Sequence, residues 1–252
     1  MRIPTLRGVI DRRILVNFRV DPDVLAAQLP PPFRPKLVRG AAVVGICLIR
    51  LRRERPAFLP AWLGFTSENA AHRAAVEWPT PAGVRTGVYI RRRDTDSRLN
   101  ALVGGRIFPG VSHHARFTVR ETAEHFEVAL RSDDGVTDLS VVADLAPGLT
   151  ATSVFTSLEE ASAFFQTGAL GYSATADPAT HQGMELHCQR WQVEPLTVRA
   201  VHSSYFEDTA VFPKGSIEFD NALLMRGIEH EWRGQADLCC AAADRPAACG
   251  VA

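Results

Sequence analysis

The stretch Ser112–Leu145, SHHARFTVRETAEHFEVALRSDDGVTDLSVVADL, contains three segments in which apolar and polar residues alternate. Alternation with a period of two is typical of a β-strand that buries one face. Between the second and third segments, Asp133-Asp134-Gly135 is a strong hairpin signal. The stretch therefore predicts an antiparallel meander with strands at 112–121, 125–132 and 136–145.

Outside the meander, the same pattern predicts further strands at 13–20, 40–51, 65–78, 84–93, 183–193 and 198–207. Short helices are predicted where Asp21-Pro22, Asp96-Ser97 and Ser157 supply N-terminal caps, with Glu160 completing a capping box and Gly168 ending the last helix. No internal repeat and no Ser/Gly-rich linker divides the chain. We therefore expect a mainly β (α+β) fold, one curved antiparallel sheet or barrel with two or three short helices. A single domain is predicted over residues 1–233, and 234–252, which has no periodicity, is predicted to be a disordered Ala/Cys-rich tail.

Charge and hydropathy exclude several classes of protein. The chain has 28 basic and 28 acidic residues, so it lacks the basic field that nucleic-acid binding requires. Charged residues interrupt the first sixteen positions, and the longest apolar run, Ala41–Ile49, is too short to span a bilayer. We expect a cytoplasmic protein with no nucleic-acid or membrane partner. The cysteines are odd in number and scattered, which predicts free thiols at Cys47, Cys188, Cys239, Cys240 and Cys249.

Strong cofactor and catalytic motifs are missing from the sequence. There is no GxGxxG, Walker A, HExxH, GxSxG or CxxC pattern. The C-terminal cysteines and His230 match no structural zinc spacing. No cofactor and no metal are predicted.

The strand at 65–78 carries the first candidate site. Glu68 and His72 share a face with small apolar residues such as Ala70 and Ala74. Because an unpaired buried carboxylate is costly, this pattern favours a lined cavity. The alternative is that both side chains are hydrogen-bonded structural residues, or that the strand contains a bulge.

Two other positions add to that candidate site. His113 shares a strand face with Ala115 and is predicted to face the interior or a pocket within it, so Glu68, His72 and His113 are the catalytic candidates. Arg106 lies beside Gly104-Gly105, where backbone approaches a ligand closely, and is the preferred anion-binding residue. Its alternative role is to pair with Asp94 or Asp96. The clusters Arg50–Arg55 and Arg91–Arg93 either grip an anionic ligand or form solvated strand ends.

Several stretches together resemble one protein family. They are Asn17–Pro22, Leu29-Pro30, Phe65–Asn69, Gly87–Tyr89, Asp96–Arg98, Phe212–Gly215 and Leu223–Arg226. Their order and spacing are similar to those of the uncharacterised bacterial YqjF-like family, in the acetoacetate decarboxylase-like superfamily, over residues 5–233. The resemblance implies a cone-shaped antiparallel β-barrel with an enclosed small-molecule cavity. It also implies Glu68 as the pocket glutamate and makes Asn69 and Tyr89 candidate ligand-binding residues.

The resemblance does not extend to the superfamily's nucleophile. In true acetoacetate decarboxylases, a lysine just after a proline forms a Schiff base with the ketone. The matching region here is 105–111, where Gly110 follows Pro109 and cannot form an imine. Only Lys36 and Lys214 are lysines among the 28 basic residues. The decarboxylase mechanism therefore does not carry over through Gly110.

Three classes of function follow. The leading hypothesis is a barrel that binds a small organic carboxylate or carbonyl compound without Schiff-base chemistry. If the protein is an enzyme, a Glu/His acid–base pair would support a lyase-like or hydrolase-like reaction. A second possibility for an enzyme is that Lys214, which follows Phe212-Pro213, is the nucleophile. The alternative is that Lys214 lies in an exposed turn and has no catalytic role. The other classes are a non-catalytic regulatory module and a structural homo-oligomer.

Overall fold

The computed structural model describes residues 4–102 and 109–239, and β-strands dominate them. The strands are β1 (Leu6–Val20), β2 (Arg34–Pro35), β3 (Leu37–Val38), β4 (Ala41–Pro56), β5 (Phe65–Thr80), β6 (Gly83–Thr95), β7 (Ser112–Glu121), β8 (His125–Ser132), β9 (Asp138–Leu145), β10 (Leu170–Ala174), β11 (Thr180–Cys188), β12 (Glu194–Ser203) and β13 (Ile217–Cys239). The helices are α1 (Pro22–Ala26), α2 (Arg98–Leu102) and α3 (Leu158–Gln166), with short 3₁₀ turns at Ala61–Leu63 and Thr167–Ala169. The predicted mainly β class with short helices is confirmed.

The meander forms as predicted, but the sheet is not wholly antiparallel. β7, β8 and β9 pair antiparallel in sequence order, and Gly135 in the hairpin has a φ of 71°. β6, however, pairs in parallel with both β7 and β10. A parallel neighbour needs a crossover connection, which alternation within one strand does not reveal.

The strand pairings close into two circuits. One circuit runs through β6, β7, β8, β9, β12, β13, β1, β4 and β5, and the other through β11, β10, β6, β5, β4, β1 and β13. We call them the first and second circuits. The strands common to both bury two faces, because alternate residues of β1, β4 and β5 belong to two separate apolar cores. The cone shape of a barrel remains a prediction.

Local chemistry explains where the helices begin. The Asp21 side chain accepts hydrogen bonds from the backbone N–H groups of Asp23 and Val24, and Pro22 occupies the first turn of α1. Ser157 Oγ accepts the backbone N–H of Glu160 at 3.2 Å and so caps α3. The second half of the predicted capping box differs, since the Glu160 carboxylate accepts the N–H of Thr156 at 2.8 Å.

The C-terminal expectations need two corrections. β13 continues past Gly234 to Cys239, because this segment pairs with β11, whose Thr180 lies opposite Cys239. The segment 234–239 was predicted to belong to a disordered tail because its sequence lacks periodicity. Residues 240–252 lie outside the described part of the chain. Cys47 and Cys188 are free thiols, as expected, but Cys239 is disulfide-bonded. No helix in the described residues is long and apolar enough to cross a membrane.

Candidate functional site

Glu68 lies in an ion-pair cluster. Its two carboxylate oxygens each accept an arginine donor at 2.6 Å, one from Arg12 and one from Arg50. Arg12 is 2% exposed and Glu68 8%. Glu121 joins the cluster through contacts with both arginines. The carboxylate of Glu68 is thus paired with arginines of the protein. It does not line the main cavity that is described below.

His72 is buried among aromatic side chains on the same face of β5 as Glu68. Its ring lies 5.4 Å from that of Tyr205 and 5.8 Å from that of Phe206. Burial, aided by the charges of Arg92 and Arg91, lowers the pKa of His72 to about 4. Neither ring nitrogen has a hydrogen-bond partner in the described part of the chain. His72 and Tyr89 line a cavity of about 20 Å³, which has room for about one water.

The other predicted site residues are dispersed. The expectation that His113 faces the interior is wrong, because it begins β7 half-exposed and its Nδ1 lies 3.1 Å from Asp134. Lys214 is exposed in the turn that precedes β13. Arg106 lies outside the described residues. Asn69 and Tyr89 are the predicted ligand-binding residues that the structure describes, and of these two only Asn69 lines the main cavity described next.

A cavity inside the second circuit has a volume of about 80 Å³. We call it the main cavity because the strands of that circuit enclose it; a more open groove beside Arg7 and His187 is larger, at about 700 Å³. Every strand of the second circuit contributes to the wall of the main cavity, together with Gly168 and Ala169 after α3. On β5 the lining face is that of Asn69, Ala71 and Arg73. The Glu68 and His72 face, on which the cavity was expected, has the smaller cavity beside His72. Because both faces of β5 are buried, small residues on one face do not identify the face that lines the larger of these two cavities.

Three arginines of the cavity wall have no carboxylate partner within the described residues: Arg13, Arg73 and Arg93. Arg13 Nε donates to the sulfur of Cys47 at 3.3 Å, and Arg93 Nε donates to Ser173 Oγ at 3.1 Å. Arg73 donates to Asn17 Oδ1, and its guanidinium lies 5.1 Å from the ring of Phe165. The cavity therefore concentrates positive charge that neutral partners hold in place.

Burial acts on two of these guanidinium groups. It lowers the pKa of Arg73 to about 10, with a further lowering by the charge of Arg13. It likewise lowers the pKa of Arg93 to about 10. Both stay charged at neutral pH. Asp94 is the one acid among the described lining residues, and it already pairs with Arg92 at 2.8 Å.

Strand register explains why these residues converge. Cys47 on β4 is opposite Ala71 on β5, and Ala71 is opposite Arg93 on β6. Arg73 is two residues beyond Ala71 on the same face of β5. Since Ala71 is opposite Arg93, Arg73 and Arg93 are diagonal neighbours, and their Cα atoms lie about 8 Å apart. Arg13 is opposite Ile49, two residues beyond Cys47. Long guanidinium side chains from three strands therefore reach one space around the small side chain of Ala71.

Unpartnered polar atoms also border this space. Arg73 Nε, Asn100 Oδ1 and Trp232 Nε1 are buried without a hydrogen-bond partner in the described chain, and all three residues line the cavity. Buried polar atoms are nearly always paired in native proteins, so a cluster of exceptions indicates a place where a ligand or solvent completes the bonding. Within residues 4–102 and 109–239, no three His, Cys, Asp or Glu side chains are grouped to hold a metal.

Gly110, at the expected position of the superfamily lysine, has no room for a side chain. Its φ is 77°, and a Cβ there would lie 2.6 Å from the carbonyl oxygen of Ala174 and 2.7 Å from Ser173 Cβ. Its N–H donates to Gln182 Oε1 at 2.8 Å. Neither lysine of the chain, Lys36 or Lys214, lines the cavity. Lys36 instead donates to Thr167 Oγ1 at 2.8 Å.

Sequence reasoning missed Arg13, Arg73 and Cys47 and treated Arg93 only as part of a cluster. One signal was available: Arg73 interrupts the run Ala70–Val76, which is otherwise small, apolar or histidine. A charged residue in a strand with two buried faces requires a compensating group.

Comparison with known proteins gives the family and the fold. The model of the family DUF2071, described as "Uncharacterized conserved protein", matches residues 10–222. No curated protein matches the chain. Acetoacetate decarboxylase from Legionella pneumophila subsp. pneumophila str. Philadelphia 1 superposes with a TM-score of 0.58 at 13% identity, covering 93% of this chain and 88% of that one.

Two further solved structures are similar. An acetoacetate decarboxylase-like enzyme from Sphingomonas wittichii RW1 has a TM-score of 0.55 at 11% identity, covering 95% of this chain and 93% of that one. The enduracididine biosynthesis enzyme MppR, complexed with pyruvate, has a TM-score of 0.57 at 11% identity, covering 96% of this chain and 92% of that one. At these identities the likeness establishes the fold alone. The protein has an acetoacetate decarboxylase-like fold, and by the family match it belongs to the DUF2071 family of uncharacterised conserved proteins.

Proposed function

We propose that the protein binds a small organic carboxylate in the main cavity, without Schiff-base chemistry. The observation that carries the proposal is the set of Arg13, Arg73 and Arg93, which line the cavity and have no carboxylate partner among the described residues. Arg73 is buried, and Arg13 and Arg93 are partly buried. Cations shielded from water repel one another and are expensive to keep unpaired. An anionic ligand supplies the missing charge.

The shape and chemistry of the walls restrict the ligand to a small one. A volume of about 80 Å³ is several times what one water needs, so a molecule of a few heavy atoms fits. Apolar side chains such as Ile90 and Met184 complete the wall beside the arginines. A guanidinium binds a carboxylate with two parallel hydrogen bonds. A short-chain acid with its carboxylate toward the arginines satisfies both parts of the wall.

A solved structure of similar fold supports the choice of a first probe. MppR has been determined with pyruvate, and also with the condensation product of pyruvate and imidazole 4-carboxaldehyde. Pyruvate is small, anionic and bears a carbonyl group. We therefore take pyruvate as the first ligand to test.

Isothermal titration calorimetry with pyruvate tests the proposal, with neutral acetone as the matched ligand. We expect pyruvate to bind and acetone not to bind. Arg93→Gln should weaken pyruvate binding by about tenfold or more, because a hydrogen bond to a charged group contributes about 1.5–3 kcal/mol. The control is Arg52→Gln, whose exposed side chain pairs with Asp11 away from the cavity.

A stability measurement accompanies the titration. Removing a cation that lacks a carboxylate partner should leave the free energy of unfolding of the ligand-free protein unchanged or higher. Arg93→Gln that loses binding while keeping its stability therefore supports a ligand role. Equal affinity of the wild-type protein for pyruvate and acetone, or unchanged pyruvate affinity in Arg93→Gln, would contradict the proposal.

A further inference from the structure

Cys47 is a free thiol in the wall of the main cavity, 7% exposed and surrounded by cations. Its sulfur accepts a hydrogen bond from Arg13 Nε at 3.3 Å. Arg73 and Arg93 line the same cavity. Cysteine attacks a carbonyl carbon through its sulfur, so a cysteine in this wall is placed to react with a ligand that the arginines hold.

The register places Cys47 and Arg93 on either side of a small residue. They flank Ala71, so only a methyl group separates them along that row of the sheet. Neighbouring strands lie about 4.8 Å apart, which places Cys47 and Arg93 about 10 Å apart at their Cα atoms. A carboxylate held by Arg93 would therefore lie against the same wall of the cavity as the sulfur.

Unpartnered polar atoms border the same space. Asn100 is 4% exposed and lines the cavity, yet its Oδ1 has no hydrogen-bond partner in the described chain. Arg73, 7% exposed, likewise has an unpartnered Nε. These donors and acceptors suit a ligand that carries a hydroxyl or carbonyl group in addition to its carboxylate.

We infer that Cys47 is a nucleophile that adds reversibly to the carbonyl carbon of an oxo acid bound by the cavity arginines, an inference that rests on the proposed function. The sulfur forms a bond to the carbonyl carbon, the carbon–oxygen π bond breaks, and its electron pair goes to the oxygen. The thiol proton ends on that oxygen, which gives a hemithioketal. Nothing is oxidised or reduced, and no group leaves.

The lining favours addition over acyl transfer. Among the described lining residues there is no histidine and no glutamate, and Asp94 is engaged by Arg92. A thioester intermediate would need a base to activate water for its release. Addition to a ketone requires only the transfer of one proton, so an oxo acid fits this wall better than an ester.

The first test uses pyruvate labelled with ¹³C at its carbonyl carbon. Wild-type protein should convert part of the carbonyl signal into that of a protein-bound tetrahedral carbon, at a chemical shift different from that of the hydrate of free pyruvate, and Cys47→Ala should abolish this bound signal. Cys188→Ala is the matched control, since Cys188 does not line the cavity, and it should keep the bound signal. If wild-type protein binds pyruvate calorimetrically but gives no bound tetrahedral signal, the inference is wrong and the proposed binding function stands.

A second readout is independent of pyruvate chemistry. Alkylation forms a sulfur–carbon bond and releases iodide, and the modified peptides are quantified by mass spectrometry. The rate ratio of anionic iodoacetate to neutral iodoacetamide at Cys47 should be about tenfold higher in the wild-type protein than in Arg93→Gln, since the guanidinium attracts the anion. Cys188, which lies in a separate pocket beside Arg7 and Arg55, is the internal reference, and its ratio should not change in that variant. An unchanged Cys47 ratio in Arg93→Gln, or no reaction at Cys47, would overturn the inference.

Discussion

His72 and Arg73 are sequence neighbours that the strand directs into different environments. His72 is 3% exposed within an aromatic cluster, whereas Arg73 is 7% exposed in the wall of the main cavity. A register shift in the pairing of β5 with β6 occurs between them. At residue scale, one side chain is kept neutral by burial and the other is kept charged despite it.

The neutral state of His72 makes stability depend on pH. The unfolded state binds a proton near a pKa of 6.5 and the folded state only near about 4, so this contribution is present above pH 6.5 and is lost as pH falls toward 4. Between pH 7 and pH 5 we expect the wild-type protein to lose about 2 kcal/mol of unfolding free energy through this group. Urea denaturation at both pH values measures the loss.

His72→Phe should remove most of that dependence, because a phenyl ring suits the aromatic surroundings and does not titrate. His202→Phe, an exposed histidine that contacts Glu207, is the control and should keep the wild-type dependence. Equal losses in wild-type protein and His72→Phe would show that His72 is not neutral in the folded protein.

At this scale, sequence reasoning identified individual residues but not their partners. Glu68 and His72 are buried, as their apolar neighbours indicated. The partners of Glu68 lie on β1 and β4, and those of Arg73 on β1 and in α3. A residue's burial follows from its own strand, but its partner depends on register between strands, which local periodicity does not specify.

At the scale of elements, the ion-pair cluster of Glu68 joins four strands, because Glu121 at the end of β7 contacts both arginines. Glu68 on β5 contacts Arg12 on β1 and Arg50 on β4. Removing one partner of a buried ion pair leaves a buried charge uncompensated. The cluster therefore ties these strands together at one end of the shared sheet.

We expect Glu68→Ala to lower the free energy of unfolding by about 3 kcal/mol, because the buried Arg12 loses its nearer carboxylate at 2.6 Å and keeps only Glu121 at 3.2 Å. Pyruvate binding in the folded variant should persist, since Glu68 does not line the main cavity. Glu218→Ala, which removes an exposed partner of Arg19, should cost less than about 1 kcal/mol. Urea denaturation and calorimetry check both parts, and lost binding with normal stability would assign Glu68 to the ligand site.

The turn before β7 offers a second test at this scale. Gly110→Lys places a Cβ against Ala174 and Ser173, so we expect a lower melting temperature and no imine with pyruvate. Gly135→Lys is the matched control, because its φ of 71° is similar but nothing lies within 4 Å of the added Cβ. Both substitutions place a side chain at a positive φ. A larger decrease in melting temperature at Gly110 than at Gly135 therefore measures the steric clash of the added side chain with Ala174 and Ser173. Equal losses would mean that the loop before β7 moves to accept a side chain.

The elements themselves were the most predictable part of the molecule. Alternation identified the meander strands, and Asp21 and Ser157 cap helices as expected. The parallel neighbours of β6 and the end of β13 at Cys239 were not predictable, because both depend on pairing with distant strands. The cavity face of β5 was missed for the same reason, since its two buried faces look alike in sequence.

For the whole molecule, the scarcity of lysine bears on the chemistry. The chain has 28 basic residues, of which only Lys36 and Lys214 are lysine, and neither lines the main cavity. Burial lowers the pKa of Lys36, but its ammonium group lies 4.4 Å from the centre of the Phe164 ring and donates to Thr167. The positive charge of the cavity comes from arginine, which does not form imines with ketones under these conditions.

Borohydride reduction in the presence of pyruvate or acetoacetate should therefore add no mass to the protein. Intact-mass spectrometry followed by peptide mapping measures this, with a lysine-dependent acetoacetate decarboxylase as the positive control. A reduced adduct on Lys214 would revive the Schiff-base hypothesis, and one on Lys36 would require the region around α3 to open.

The strands shared by the two circuits have a further consequence for dynamics. β1, β4 and β5 have both faces buried and neighbours on both edges, so their amides have few routes to exchange hydrogen short of global unfolding. We therefore expect the slowest hydrogen exchange in the strands that contain Arg13, Cys47 and Arg73. A ligand of the cavity would therefore enter and leave through fluctuations of the remaining strands of the second circuit. Rigid strands would position the charged groups, and more mobile strands would admit the ligand.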